Sequence, residues 1–217
     1  MIITIDGPAG AGKSTVAHKL AHRLGFMFLD TGAMYRAVTV AALRRGVSLD
    51  DAEGWTQVAG EIRIELDDRR VRLDGEDVSD AVRSSETTAH VRYAANNPGV
   101  RAQLVELQRA AAGNRDLVTE GRDQGTIVFP QAELKIYLTA GPEERARRRH
   151  AELERRGETT TLDEVLAKQN SRDLSDRSRE VGPLVAADDA VEVVTDGLSP
   201  DEVVDRLEAL ARERMQG

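Results

Sequence analysis

A stretch of small residues near the N-terminus has the composition of a phosphate-binding loop. The segment TIDGPAGAGKST, residues 4–15, places three glycines, a lysine, a serine and a threonine after a short apolar run. Because glycine has no side chain, the backbone can curl so that several N–H groups converge on the oxygens of one phosphate. Gly7 to Ser14 matches GxxxxGK[ST], in which the lysine reaches the β and γ phosphates and the hydroxyl binds Mg²⁺. The spacing therefore predicts a nucleoside triphosphate site.

A strand-to-helix turn without any ligand is the alternative interpretation of this loop. Such a turn needs only one or two glycines and has no use for Lys13 and Ser14 at its end. The loop also lies between a predicted strand and a predicted helix, the context that the motif requires. We therefore expect Lys13 to act in catalysis, Ser14 to bind Mg²⁺, and ATP to contact the loop residues Gly7, Pro8, Ala9, Gly10, Ala11, Gly12, Lys13, Ser14 and Thr15.

Two arginines follow further predicted strands. Arg36 comes after the second strand in LDTGAMYR, and Arg122 comes after the third in TEGRDQG. Open α/β sheets bind ligands beyond the carboxyl ends of their parallel strands, and two guanidinium groups there can grip a phosphate in bidentate fashion. Either arginine alone could form a surface salt bridge instead. Together with the phosphate loop they favour a second anion site.

Arginine is also concentrated between residues 141 and 180. Arg172, Asp176 and Arg179 are spaced by four and three, so they share one helical face. This stripe could be an ordinary solvated row of ion pairs. The nearby run PEERARRRHAELERR adds further cations, although the chain as a whole has a formal charge of −8. We therefore expect two arginine-rich helices, joined near Gly157, to form a lid over transferring phosphates.

The elements that must position these residues are predicted from apolar runs. Most of the predicted strands are nearly continuous apolar segments, as expected of strands covered on both faces, and helical patterns separate them. These five strands are residues 2–6, 27–30, 117–121, 134–139 and 190–194. Residues 60–83 instead alternate with period two, which predicts a small antiparallel sheet. Capping boxes at Thr161–Glu164 and Ser199–Glu202 mark the starts of two helices.

Composition limits the classes of protein. The 217 residues suit one domain with a small insert, and no apolar run is long enough to span a bilayer. The N-terminus has no secretory signal pattern, so we expect a cytoplasmic protein without a membrane partner. The net negative charge argues against nucleic-acid binding. Cysteine is absent, and His18 and His22 lack the glutamate of an HExxH zinc motif, so an exposed helix face is their simpler interpretation.

Phosphate binding by itself leaves two classes of function open. One is a kinase that transfers the γ-phosphoryl group to a small acceptor, and the other is a nucleotide-dependent switch or motor. An NKxD-like segment that would read guanine is absent from the sequence. A second anion site with mobile arginines is what a small-molecule kinase needs. The kinase is the favoured interpretation.

Several longer motifs resemble those of one family. They are GPAGAGKST, LDTGAMYR, PGVR at 98–101, EGRDQGTIVFP at 120–130 and RDLSDRSR at 172–179. Together they resemble the bacterial cytidylate kinases, which belong to the P-loop nucleoside monophosphate kinases. The resemblance implies transfer of phosphate from ATP to CMP or dCMP with Mg²⁺, and we expect a monomer that acts on small molecules. Another nucleoside monophosphate kinase, or a P-loop kinase of a metabolite, is the alternative.

The resemblance also implies roles for individual residues and segments. CMP would be bound by Thr31, Tyr35, Arg36, Arg101, Arg122, Asp123, Arg172, Asp176 and Arg179, and phosphoryl transfer would be assisted by Lys13, Arg145 and Arg149. The expected core is residues 1–55, 84–140 and 181–217, with an acceptor-binding insert at 56–83 and the lid at 141–180. Two positions depart from the family pattern: Arg92 stands where many relatives carry serine, and Gln124 where an apolar residue is usual.

Overall fold

The computed structural model describes residues 1–68 and 70–216. Its strands are β1 (Ile2–Asp6), β2 (Met27–Asp30), β3 (Ile64–Asp67), β4 (Arg70–Leu73), β5 (Glu76–Asp77), β6 (Leu117–Gly121), β7 (Leu134–Thr139) and β8 (Val191–Val194). Its α-helices are α1 (Lys13–Leu24), α2 (Thr31–Arg44), α3 (Ala52–Glu61), α4 (Ser85–Ala95), α5 (Pro98–Ala112), α6 (Pro142–Arg155), α7 (Leu162–Arg177) and α8 (Pro200–Gln216). Of the helices in these two ranges, none has the length and apolar character needed to cross a bilayer.

The main sheet has five parallel strands in the order β2-β6-β1-β7-β8. β1 lies in the centre, where Asp6 is aligned with Gly121 of β6 and with Tyr137 of β7. Its apolar residues Ile3 and Ile5 are fully buried, which explains the continuous apolar run in the sequence. The predicted α/β fold with a five-stranded parallel sheet is confirmed. The carboxyl ends of β1, β6 and β7 therefore adjoin, although they come from distant parts of the chain.

The chain divides into two compact units, residues 1–28 with 115–217 and residues 29–114. In the first unit, apolar stripes of α1 and α8 belong to the core around the sheet. This core includes Ile3, Ile5, Val16, Leu20, Leu134, Ile136, Val203, Val204 and Leu207. The predicted capping boxes before α7 and α8 both form, with reciprocal hydrogen bonds between Thr161 and Glu164 and between Ser199 and Glu202. The last helix is therefore a core element.

The second unit carries four helices and the small sheet. Strands β3, β4 and β5 pair antiparallel in that order, which confirms the predicted small antiparallel sheet. Asn97 caps α5 by accepting a hydrogen bond from the backbone N–H of Val100, and Pro98 occupies the first turn, where its missing N–H costs nothing. Trp55 is 1% exposed and donates its indole N–H to the carbonyl of Ser48, which anchors α3 in this unit.

Candidate nucleotide site

The loop between β1 and α1 has a backbone that only glycine adopts easily. Gly7, Gly10 and Gly12 have φ angles of 149°, 81° and 92°. A Cβ on Gly7 would collide with the carbonyl oxygen of Leu138 on β7, so the loop runs directly against the neighbouring strand. Gly12 precedes α1 without a side-chain cap, and the N-terminal amides of the helix remain available to an anion. The loop therefore has the geometry of a phosphate cradle.

Lys13 lies at the start of α1 with its side chain folded under the loop. Its ammonium group donates a hydrogen bond of 2.8 Å to the carbonyl of Pro8, and the residue is 5% exposed. The pKa of Lys13 is lowered from 10.5 to about 7, mainly by burial and also by the positive charge of Arg122, while the carboxylate of Glu120 acts in the opposite direction. An anionic phosphate placed beside this ammonium group would favour its charged form.

Ser14 has a partner that the sequence reasoning missed. Its hydroxyl donates a hydrogen bond of 2.6 Å to a carboxylate oxygen of Glu120, which is 5% exposed at the end of β6. Glu120 is aligned with Ile5 of β1, so the neighbouring strand delivers it to the phosphate loop. A hydroxyl and a carboxylate together are the hard oxygen ligands that suit Mg²⁺. The sequence signal that could have identified this partner is Glu120 itself, an acidic residue in the segment TEGR, next to the last residue of β6.

Arg122 belongs to a buried ion-pair network with α7. Its Nε atom donates to Asp176 at 2.8 Å, and the guanidinium of Arg179 contacts the other oxygen of the same carboxylate. Asp176 is 2% exposed. Burial alone would raise the pKa of Asp176, but the charges of Arg122, Arg179 and Arg172 outweigh burial and lower it. The carboxylate of this arginine stripe is therefore buried between two arginines and is not part of a solvated row of ion pairs. Because α7 ends at Arg177, Arg179 lies beyond the helix, and the prediction that all three residues share one helical face is wrong for Arg179.

Arg145 lies beneath the phosphate loop. The residue is 3% exposed and donates to the carbonyls of Ala140 and Ala9, at 3.0 Å and 2.9 Å. The guanidinium also pairs with Asp173 at 2.6 Å. These contacts tie the loop to α6 and α7. Arg149 is different, because it is about one-third exposed and pairs with Glu152 on its own helix.

The turn after β6 is held by the end of β1. Both carboxylate oxygens of Asp6 accept backbone hydrogen bonds, from Gln124 at 2.9 Å and from Gly125 at 2.8 Å. The buried side chain of Gln124 accepts a further hydrogen bond of 2.9 Å from the hydroxyl of Thr119. This bond gives a physical reason for a polar residue where the family pattern has an apolar one. Asp123, 4% exposed, immediately precedes the turn.

The carboxyl group of Asp6 makes stability depend on pH. Burial raises its pKa from 3.8 to about 6, against the hydrogen bonds from Gly125 and Gln124 that lower it. The folded protein thus binds a proton on Asp6 more tightly than the unfolded chain does. The stabilisation that this proton provides is complete below pH 3.8 and is lost as the pH rises through 6. We expect the free energy of unfolding to fall by about 3 kcal/mol across this window relative to an Asp6→Asn variant. Urea unfolding of both proteins at pH 4 and pH 7.5 measures the difference, and parallel curves would contradict it.

The remaining predicted acceptor residues lie in the second unit. Arg36 donates to the carbonyl of Val82 at 3.2 Å and to the hydroxyl of Thr88 at 2.8 Å. The guanidinium of Arg101, 2% exposed, lies 5.7 Å from the ring centre of Tyr35 in a cation–π contact. Thr31 is buried at the first position of α2. The structure therefore brings Tyr35 and Arg101 together, with Arg36 and Thr31 on the same helix as Tyr35.

Arg92 lies on the surface of α4. Its guanidinium donates to the hydroxyl of Tyr93 at 3.0 Å and lies 4.9 Å from the centre of that ring.

His18, on α1, packs edge-on against Phe28 with the ring centres 5.4 Å apart. Among the described residues, no group of three or more His, Cys, Asp or Glu side chains could hold a metal ion. The side chains of Arg92 and His18 thus both make contacts with aromatic rings.

Comparison with known proteins agrees with this geometry. A family model described as "Cytidylate kinase" matches residues 3–213. A cytidylate kinase of Rhodopirellula baltica is 53% identical over 216 residues, which cover 100% of this chain and 94% of that protein. A bifunctional pantoate ligase/cytidylate kinase of Synechococcus is 48% identical over 99% of this chain, which spans 44% of that protein. A shikimate kinase structure from Bacteroides thetaiotaomicron has the same fold, with a TM-score of 0.50, 15% identity and 98% of both chains covered. The chain belongs to the cytidylate kinase family.

Proposed function

We infer that the chain transfers the γ-phosphoryl group of ATP to CMP or dCMP, giving ADP and CDP or dCDP. The observation that carries this inference is the first unit's combination of a phosphate loop with a buried guanidinium pair. Lys13 lies with the loop, and Arg122 and Arg179 share the carboxylate of Asp176. Family membership supplies the identity of the two nucleotides.

The donor side is proposed to be the loop from Gly7 to Thr15 with Mg²⁺. Ser14 and Glu120 would hold the ion, since their oxygens already lie 2.6 Å apart. Mg²⁺ held there would supply positive charge to neutralise the β and γ phosphates. Lys13 then needs only to turn its ammonium group from the carbonyl of Pro8 towards the transferring phosphoryl group. Arg149 is proposed to assist from α6, while the contacts of Arg145 favour a role in holding the loop.

The acceptor side is proposed to use guanidinium groups for phosphate and polar side chains for base and sugar. Arg122 and Arg179 suit a phosphate, because both guanidinium groups are held against the carboxylate of Asp176 and a guanidinium can bind phosphate oxygens in bidentate fashion. Asp123 suits the exocyclic amine of cytosine, which a carboxylate accepts. Resemblance assigns Arg172 and Asp176 to the sugar. In the second unit, it assigns Thr31, Tyr35, Arg36 and Arg101 to CMP.

The acceptor phosphate is already an anion, so the reaction needs no strong general base. Catalysis is then mostly positioning and stabilisation of charge as it moves from donor to acceptor. The segment 141–180, which contains α6 and α7, is proposed to close over both nucleotides as a lid. Hydrogen exchange that is slower in this segment with both nucleotides bound would support closure, and equal exchange would remove it.

Steady-state assays of ATP with CMP, dCMP, UMP and AMP test the proposed function. We expect CMP and dCMP to have the highest kcat/KM. An Asp123→Asn variant should lower the ratio of CMP to UMP turnover, because the amide group presents a donor to the cytosine amine. A preference for UMP or AMP would make the chain a different nucleoside monophosphate kinase. No turnover with any of them would contradict the proposal.

A further inference from the structure

The end of β1 carries a carboxylate that the proposed reaction does not use. Asp6 is 5% exposed, and its two oxygens accept the backbone N–H groups of Gln124 and Gly125. These amides open the turn that directly follows Arg122 and Asp123. On its other side, Asp6 is followed at once by the phosphate loop. One side chain thus connects the start of the donor loop to the loop proposed to hold the acceptor.

This connection is short and has little freedom to shift. The backbone of Asp6 is fixed in the central strand between Gly121 and Tyr137. The turn rests directly on β1, since a Cβ on Gly125 would lie only 2.9 Å from the hydroxyl of Thr4. A change in the two hydrogen bonds of Asp6 would therefore be passed on to the backbone of Asp123.

A carboxylate is the side chain that these two bonds require. Ionised Asp presents acceptors on both oxygens, whereas the amide of Asn has one acceptor oxygen and one donor nitrogen. With Asn at this position, one of the two backbone N–H groups would face another donor and lose its partner. The turn would have to move or rotate to relieve that contact.

We propose that Asp6 is a positioning residue for phosphoryl transfer, which sets the placement of Arg122 and Asp123 relative to the phosphate loop through the amides of Gln124 and Gly125. The carboxylate itself touches neither nucleotide. This inference rests on the proposed function, which assigns Arg122 and Asp123 to the acceptor. Its distinguishing consequence is a selective loss of acceptor binding, because the donor loop keeps its own contacts with Arg145 and β7.

An Asp6→Asn variant tests the proposal, with Thr4→Val as the matched control. Thr4 lies two residues earlier on the same face of β1 and is fully buried. Its hydroxyl has no hydrogen-bond partner within residues 1–68 and 70–216, so Val can replace it with nearly the same shape. In Asp6→Asn, we expect the KM for CMP to rise about tenfold to a hundredfold and the KM for ATP to change less than about threefold. Thr4→Val should leave both constants unchanged.

The outcomes separate this proposal from the function on which it rests. Equal changes in the two KM values, or unchanged values in a folded Asp6→Asn protein, would overturn the positioning role alone. Wild-type protein and Thr4→Val without CMP turnover would overturn the proposed function and this inference with it. Should Asp6→Asn not fold, hydrogen exchange of the wild-type Gln124 and Gly125 amides decides instead. Strong protection that increases further with CMP supports the role, and exchange at the rate of exposed amides overturns it.

Discussion

A Lys13→Ala variant is expected to fold and to lose about 10²- to 10³-fold in kcat, or about 3 to 4 kcal/mol of transition-state stabilisation. The side chain places a cation against the phosphate loop, 2.8 Å from the Pro8 carbonyl. Its pKa is lowered to about 7, mainly by burial, so keeping this ammonium group charged lowers the stability of the folded protein without nucleotide. Its removal should therefore harm turnover far more than folding. A coupled assay at saturating ATP and CMP, with a circular dichroism melt, measures both.

Lys19→Ala is the matched control for this prediction. Lys19 lies on the same helix, and its ammonium group is 2.8 Å from a carboxylate oxygen of Asp201 in an exposed pair. Such pairs contribute about 0 to 1 kcal/mol, so turnover should be unchanged and the melting temperature nearly so. A folded Lys13→Ala protein with nearly full turnover would exclude Lys13 from the reaction.

An Asp173→Ala variant is expected to lower the free energy of unfolding by about 3 to 5 kcal/mol. Arg145 and Asp173 form an ion pair of 2.6 Å in which both side chains are about 5% exposed or less. Removing the carboxylate leaves the guanidinium of Arg145 buried without its counter-charge. For a chain of this length, the melting temperature should fall by about 10 °C. Calorimetry with urea unfolding measures the loss.

Two further variants show whether the unpaired charge of Arg145 causes the loss of stability in Asp173→Ala. The double variant Arg145→Met, Asp173→Leu removes both charges and should recover part of the stability, because apolar side chains can replace a buried pair. Recovery should be incomplete, because the carbonyls of Ala9 and Ala140 lose the donor that Arg145 supplies. Arg147→Ala breaks an exposed pair with Glu144 on the same helix and should change stability by less than about 1 kcal/mol. An Asp173→Ala protein that melts within about 2 °C of the wild type would contradict this prediction. The buried pair would then contribute no more to stability than an exposed salt bridge does.

Much of the architecture was accessible from local patterns. The five predicted strands agree with β1, β2, β6, β7 and β8 to within one residue, because strands buried on both faces need unbroken apolar runs. The capping boxes before α7 and α8 were predicted from two residues each, since a cap is satisfied within one turn. The phosphate loop is likewise contiguous, so its glycines, lysine and serine could be recognised without any long-range contact.

The contacts that join these local features were not accessible in the same way. Glu120 reaches Ser14 across 106 residues of sequence, and Asp6 reaches Gln124 across 118. Nothing in either local pattern states which strand is the neighbour of β1. That assignment depends on the order and register of the parallel strands, which arise when the whole sheet closes around its core.

Burial was the other quantity that only the tertiary structure decided. The sequence by itself determined that Arg172, Asp176 and Arg179 occur at helical spacing, that Arg145 belongs to an arginine-rich helix, and that a phosphate loop precedes α1. It left open whether the arginines face water or the interior. The fold buries Asp176 between Arg122 and Arg179 and places Arg145 under Ala9. The physical reason is that spacing sets the face of a helix on which a residue lies, whereas packing against other elements sets which face is covered.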